Sequence, residues 1–213
     1  MNILFLGAPG AGKGTQAALM SKKLGVPIIS MGDMLRDMLA EDENLKKQVE
    51  PYMVSGELVP DSIVGGILKR RIARPDCVGG FILDGYPRNI EQAKHLDDIE
   101  VYIDRVVVIQ VSKEELVSRL VGRRVCKNCA ASFHVAFKKP VRDGVCDFCG
   151  GELVLRKDDV ADVIDTRLGV YYEQTKPLED YYSRLGRVCV VNGEDSVENV
   201  NNILMNELKG IAR

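Results

Sequence analysis

The chain has 213 residues, 46% of them hydrophobic and 28% charged, with a formal net charge of −2; this is the composition of a soluble globular domain with room for insertions. The slightly acidic balance argues against a nucleic-acid binder that works through bulk electrostatics. No apolar run approaches the ~20 residues that span a bilayer, and the N-terminus enters a strand without a basic leader, so a cytoplasmic protein with no membrane partner is expected.

The first predicted strand, Ile3–Leu6, runs into GAPGAGKGT at residues 7–15, and a helix is predicted over 13–24. Strand, glycine loop, lysine and helix N-terminus together form an anion cradle, in which backbone N–H groups, the helix dipole and the Lys13 charge converge. The spacing fits the phosphate-loop pattern GxxxxGK, which implies a nucleoside triphosphate. Gly14 stands where a magnesium-binding Ser or Thr is usual, and the hydroxyl comes one place later at Thr15.

Further strands are predicted at Pro27–Ser30, Gly80–Leu83, Val106–Val111 and Val188–Val191, with helices over 61–74, 89–97, 113–122, 160–185 and 196–209. Apolar strands without alternation, interleaved with helices, predict an α/β fold on a five-stranded parallel sheet. Asp33 and Ser112 read as N-caps, and Ser112 has Glu115 in capping-box spacing. Residues 31–60, with short amphipathic helices, and 123–159, richer in Gly, Cys, Pro and charge, read as insertions on a core of 1–30, 61–122 and 160–213.

Cys126, Cys129, Cys146 and Cys149 form C-x₂-C-x₁₆-C-x₂-C within the second insertion. Two such knuckles can close a tetrahedron of thiolates, so a structural Zn²⁺ or a similar tetrahedral metal is expected. Redox-active thiols and two disulfides are the competing readings, the latter disfavoured in a reducing compartment. Cys77 is expected to be partly buried and Cys189 to lie in the core.

Asp84 ends the run GFILDGYPR, at a strand tip where α/β sheets place their ligands and where a carboxylate can hold Mg²⁺ or its waters. Phosphoryl transfer needs charge stabilisation, alignment and exclusion of water, and a guanidinium supplies the first two. Arg36, Arg88, Arg123, Arg156 and Arg167 are the candidates for a converging set.

These residues resemble the adenylate kinase family over nearly the whole chain. The matching stretches are GAPGAGKGTQA at 7–17, SMGDMLR at 30–36, GELVPD at 56–61, GFILDGYPR at 80–88 with Gln92, RLVGRRVC at 119–126 and RKDD at 156–159. The resemblance implies a three-layer P-loop nucleoside monophosphate kinase fold with a helical monophosphate-binding insertion and a zinc-bearing lid. It implies the reaction Mg·ATP + AMP ⇌ 2 ADP, in a monomer.

On that resemblance Gly10, Ala11, Gly12, Lys13, Gly14 and Thr15 would wrap the ATP phosphates. Arg119, Arg123, Ser132, Phe133 and the loop at Asp195 would hold its base and ribose. Arg36 and Arg88 would clamp the AMP phosphate, while Met31, Glu57, Leu58, Val59, Gly85, Tyr86, Pro87 and Gln92 would surround the rest of that nucleotide. Lys13, Asp84, Arg88, Arg123, Arg156 and Arg167 would form the catalytic set, with Asp158 and Asp159, read as exposed acids, on the lid's hinge side.

Two departures from the family pattern matter. Met31 replaces the usual Thr, which removes a hydroxyl that helps read the acceptor base and keeps UMP or CMP in view as acceptors. Asn89 after Arg88 reads as a helix-start residue. A GTP-using AMP kinase is a further alternative, and a zinc-ribbon nucleic-acid binder is the alternative from another class.

Overall fold

The structure, a computed structural model, describes residues 1–209. Strand β1 (Asn2–Leu6) leads through the glycine loop to α1 (Lys13–Leu24), and β2 (Ile28–Ser30) leads directly into α2 (Met31–Glu41) and α3 (Glu43–Ser55). Helix α4 (Asp61–Ile72), β3 (Phe81–Asp84), α5 (Ile90–Asp98), β4 (Arg105–Gln110) and α6 (Lys113–Val121) follow. Next come three short strands, β5 (Arg123–Cys126), β6 (Ser132–His134) and β7 (Leu153–Val154), then α7 (Ala161–Val170), α8 (Pro177–Ser183), β8 (Val188–Asn192) and α9 (Val197–Lys209).

β2, β3, β1, β4 and β8, in that order, form the parallel sheet. All five predicted strands are present, with ends displaced by at most one residue. Successive side chains of a strand face opposite sides, so β1 feeds two cores. Leu4 and Leu6 join Leu83, Val106 and Val108 against Leu35, Val49, Leu68 and Leu178. Ile3 and Phe5 join Val107 and Ile109 against Ala17, Met20, Leu116 and Leu204. Helices on both faces explain why the strands carry continuous apolar runs.

Several local expectations change. The α2 N-cap is Ser30 rather than Asp33: the Ser30 side chain accepts the Asp33 N–H, which puts Asp33 in the first turn, where a carboxylate favours the helix dipole. Ser112 occupies the N-cap position of α6, but its side chain makes no capping hydrogen bond and the capping box does not form. Its N–H donates to Glu194 at 2.7 Å, and Glu115 pairs with Arg119 at 2.8 Å instead. The single helix predicted over 160–185 is α7, a π-helical turn at Tyr171–Thr175, and α8. Pro177, without an N–H, starts α8 and interrupts the regular ladder. Asn89 caps α5 as expected, accepting the Gln92 N–H at 2.8 Å. Cys77 is more buried than expected, and Cys189 lies in the core.

The segment between α6 and α7 is a small antiparallel sheet, ordered β6-β5-β7, around a core of only Cys126, Phe133, Cys146 and Leu153. Residues 31–60, by contrast, share the main core through Met31, Leu35, Val49 and Val59.

Candidate active site

The glycine loop turns from β1 into α1 with Gly12 at φ 93°, a left-handed conformation that a side chain would resist. The Lys13 ammonium reaches back to the carbonyls of Gly7 at 2.7 Å and Ala8 at 3.0 Å. Burial lowers its pKa to about 8; Asp84 opposes that fall, and Arg88, Arg167 and Arg123 reinforce it. A Cβ at Gly14 would lie 3.5 Å from Asp84 Oδ2, an ordinary contact, so the β3 carboxylate stands beside the place where other phosphate loops put a hydroxyl.

The five arginines come from five different places in the chain. Arg88 follows β3 through the cis Tyr86–Pro87 peptide, and its Nε donates to the Gly85 carbonyl at 3.1 Å. Burial in the cleft holds its pKa down to about 10; Arg167, Arg36 and Arg156 add to that, and Asp84 opposes it. These mutual shifts mean that the cations from α2, the Asp84 loop, the β7–α7 connection and α7 face one volume. Like charges held this close are expected where a polyanion is bound.

Two carboxylates keep part of the set in place. Arg123 makes a two-pronged contact with Asp159 at 2.6 and 2.7 Å, and Arg167 joins the same carboxylate at 2.6 Å. Arg156 does likewise with Asp158, at 2.6 and 2.9 Å. Burial works against the Asp158 charge, but Arg156, Arg167 and Arg123 outweigh it and bring its pKa to about 2. The reading of these two acids as exposed is therefore corrected: Asp159 is only 2% accessible, and both are interior partners of the arginines. Planar guanidinium–carboxylate pairs of this kind fix direction as well as charge.

The remaining predicted residues fall on both flanks. Arg119 on α6 bridges Glu115 and the Gly193 carbonyl, at 2.8 and 3.0 Å, beside the loop that contains Asp195. In the small sheet Ser132 is exposed, whereas the Phe133 ring belongs to that sheet's own core. On the other flank Arg36 pairs with Asp33, Met31 is buried, and the stretch 57–59 grades from exposed Glu57 to buried Val59. Gln92 is buried at 3% exposure and anchored at both ends of its amide: its Oε1 accepts the Arg88 N–H at 2.7 Å and its Nε2 donates to Asp61 at 2.6 Å. Asp61 was not singled out from the sequence. It sits one residue into a helix after Pro60, and only the fold brings it to Gln92.

The four cysteines of residues 123–159 converge. Their sulfurs all lie within 4.8 Å of one another. Cys126–Cys149, Cys129–Cys149 and Cys129–Cys146 stand at 3.4, 3.4 and 3.6 Å. A tetrahedron with Zn–S arms of ~2.3 Å has edges of ~3.8 Å, so the donor set fits a four-thiolate metal site. None of the six cysteines is in a disulfide. Among the described residues no helix is long and apolar enough to cross a membrane.

A glycine loop with its lysine, a strand-end carboxylate beside it and several cations on the same cleft are suited to supply charge and position rather than a covalent nucleophile, which is how a P-loop phosphotransferase works. The comparisons narrow the class. The adenylate kinase family model matches residues 5–187. The chain is 50% identical over 202 residues to an adenylate kinase of Syntrophobacter fumaroxidans, with 93% of this chain and 95% of that protein covered. It is 48% identical to adenylate kinases of Caldicellulosiruptor bescii (92% and 94% covered) and Archaeoglobus fulgidus (94% and 94%). This chain belongs to the adenylate kinase family and is a nucleoside monophosphate kinase.

Proposed function

We propose that the protein interconverts Mg·ATP and AMP with two ADP, with the bond-making region between the glycine loop and Arg88. The observation that carries this is the mutual electrostatic contact of Lys13, Asp84, Arg36, Arg88, Arg123, Arg156 and Arg167 around one cleft. Asp33, Asp84, Asp158 and Asp159 offset only part of this positive charge, and like charges held so close are expected where a polyanion binds.

In this reading Gly10–Thr15 give N–H groups to the donor phosphates, and Lys13 moves its charge from the loop carbonyls onto them. Arg119 and the loop at Asp195 hold the donor base. Ser132 and the backbone of Phe133, whose ring is committed to the lid core, cover the ribose. Arg36 and Arg88 grip the acceptor phosphate; Met31, Glu57, Leu58, Val59, Gly85, Tyr86, Pro87 and Gln92 form its surroundings. Arg123, Arg156 and Arg167 neutralise the transferring group as charge spreads over its equatorial oxygens. Mg²⁺, when bound with ATP, would add a further neutralising charge, with Asp84 the carboxylate available to orient it. Residues 31–60 and 123–159 act as the covers, because an open site would pass phosphate to water. Zn²⁺ in the thiolate cluster would stabilise the lid, whose own core is too small to fold unaided.

A monomer in the cytoplasm fits this chemistry. The test is a coupled assay with ATP and each monophosphate in turn. ADP formation with AMP, and negligible ATP hydrolysis without it, is the expected result. Equal rates with UMP or CMP, or none with AMP, would overturn the acceptor assignment.

A further inference from the structure

We propose that Asp61 sets which base the acceptor site takes, by fixing the orientation of the Gln92 amide. The inference rests on the functional reading above, which puts Gln92 at the edge of the acceptor base.

A glutamine amide can present its oxygen and nitrogen in either order, and the two orders read opposite hydrogen-bond patterns. Here both anchors are one-way groups. The Arg88 backbone N–H can only donate, and it meets Oε1 at 2.7 Å; the Asp61 carboxylate can only accept, and it meets Nε2 at 2.6 Å. Reversing the amide would set N–H against N–H and oxygen against carboxylate. Asp61 is itself held in place, because Asn89 Nδ2 donates to both of its oxygens at 3.2 Å. The same Asn89 caps α5 through its Oδ1, which accepts the Gln92 N–H.

Packing does not do this work. A cavity of about 250 Å³ lies between α4 and α5, lined by Asp61, Gly65, Tyr86, Gln92 and His95 among others. The α4 glycine at 65 helps make that room: a Cβ there would stand 3.0 Å from His95 Nε2. The buried Tyr86 hydroxyl and His95 Nε2 border this space with no hydrogen-bond partner, so neither of them bonds the amide in this arrangement. The hydrogen bonds, and not steric confinement, therefore decide which way Gln92 faces.

With both anchors in place, Gln92 keeps one free N–H on Nε2 and one free lone pair on Oε1, in a fixed order. A 6-aminopurine offers the complement, an acceptor at N1 beside a donor at N6. A 6-oxopurine offers the reverse, a donor at N1 beside an acceptor at O6, and would need the flipped amide. Met31 supplies no hydroxyl to help, so the discrimination falls on Gln92 and hence on Asp61. Sites that pair a substrate's polar edge reject the mismatched analogue strongly, because buried partners are left unpaired. Arg88 adds a link between the two halves of the acceptor pocket: its guanidinium side is proposed to hold phosphate, while its N–H holds the base reader.

Steady-state kinetics with AMP and IMP as acceptors at saturating Mg·ATP would test this. The parent's turnover of AMP decides the functional reading by itself. In Asp61→Ala the KM for AMP should rise about tenfold, with kcat and the KM for ATP within about twofold, and the AMP-over-IMP ratio of kcat/KM should fall at least tenfold. Asp61→Glu keeps a carboxylate and has the cavity to accommodate its extra methylene, so it should recover most of that ratio. A purely structural role for Asp61, which also sits in the first turn of α4, would weaken both acceptors alike. An AMP-over-IMP ratio within twofold of the parent in Asp61→Ala, with AMP turnover intact in the parent, would overturn the proposal and leave the functional reading standing.

Discussion

The two stretches that interrupt the strand–helix alternation are held in opposite ways. Residues 31–60 are apolar members of the main core: Met31, Leu35, Val49 and Val59 share one buried cluster with Leu4, Leu83 and Val106. The small sheet of residues 123–159 contributes nothing to that cluster and keeps a core of its own with four buried residues, two of them cysteines. Apolar burial is cooperative with the rest of a domain, whereas a thiolate cluster is a local staple. The first stretch is therefore expected to stand or fall with the whole domain, and the second to open or unfold by itself. What ties the second stretch to the active site is charge: Arg123 and Arg156 are held by its own Asp159 and Asp158, and both acids also pair with Arg167 of α7.

The largest predicted effect tests whether that charge is catalytic. Arg156→Ala should lower kcat about 10³-fold, in the range for loss of a cation that meets the transferring group, with little change in the KM for either nucleotide. Loss confined to KM would assign Arg156 to ground-state binding and make the lid a cover only.

A pair of stability variants tests the contrast directly. Leu35→Ala in α2 removes a side chain that is 4% exposed, and it should cost about 2–5 kcal/mol of global stability, read as one cooperative shift in denaturant unfolding. Cys146→Ser should release the metal and remove hydrogen-exchange protection from residues 123–154, while amides of β1, β3 and β4 keep theirs. If Cys146→Ser melted the sheet core as well, the lid could not be an independent unit. Metal content of the parent, read at about one per chain, checks the staple itself.

Much of this organisation could be read from the sequence, and the parts that could not share a cause. The phosphate loop and the cysteine quartet are local in sequence, so their spacing is their geometry. The parallel sheet follows from apolar runs that only double-sided burial allows. Asp158 and Asp159 looked like surface acids because their burial comes from Arg123 and Arg167, which other elements supply. The capping box at Ser112 failed because Glu194, 82 residues away, took the N–H that Glu115 would have met. Asp61 was missed because its partner lies 31 residues on, across an intervening strand. Tertiary partners override local patterns wherever a polar group has a choice.

A pH profile sharpens the comparison further. Lys13 titrates at about 8 in the free protein, so it is charged below that pH and neutral above it. The ratio kcat/KM for ATP reports the free enzyme and should fall towards a tenfold loss per pH unit above about pH 8. Arg88, at about 10, stays charged through this window, so one ionisation should describe the limb. Part of the Lys13 depression comes from Arg123, which belongs to the lid strand β5. Loosening the lid with Cys146→Ser should therefore move the limb to higher pH. A limb that stays in place would mean that Arg123 keeps its position without the metal cluster.

The smallest effect concerns the one ion pair between the two stretches among the described residues, Lys157 Nζ to Glu50 Oε1 at 3.2 Å. The lysine side chain is 80% exposed, and such pairs contribute at most about 1 kcal/mol, often nothing measurable. Lys157→Ala should therefore change kcat and both KM values by less than about threefold, and added salt should erase even that, since at ~1 M salt the Debye length of ~3 Å is no longer than the pair's separation. The charge on the closing surfaces is then the substrate's business: the buried pairs of Arg123 and Arg156 orient cations toward phosphate, while the exposed pair only brushes the covers together. A tenfold effect that persists in salt would reverse this ranking, because it would mean that Glu50 and Lys157 meet in a far less solvated contact when the covers are shut on both nucleotides.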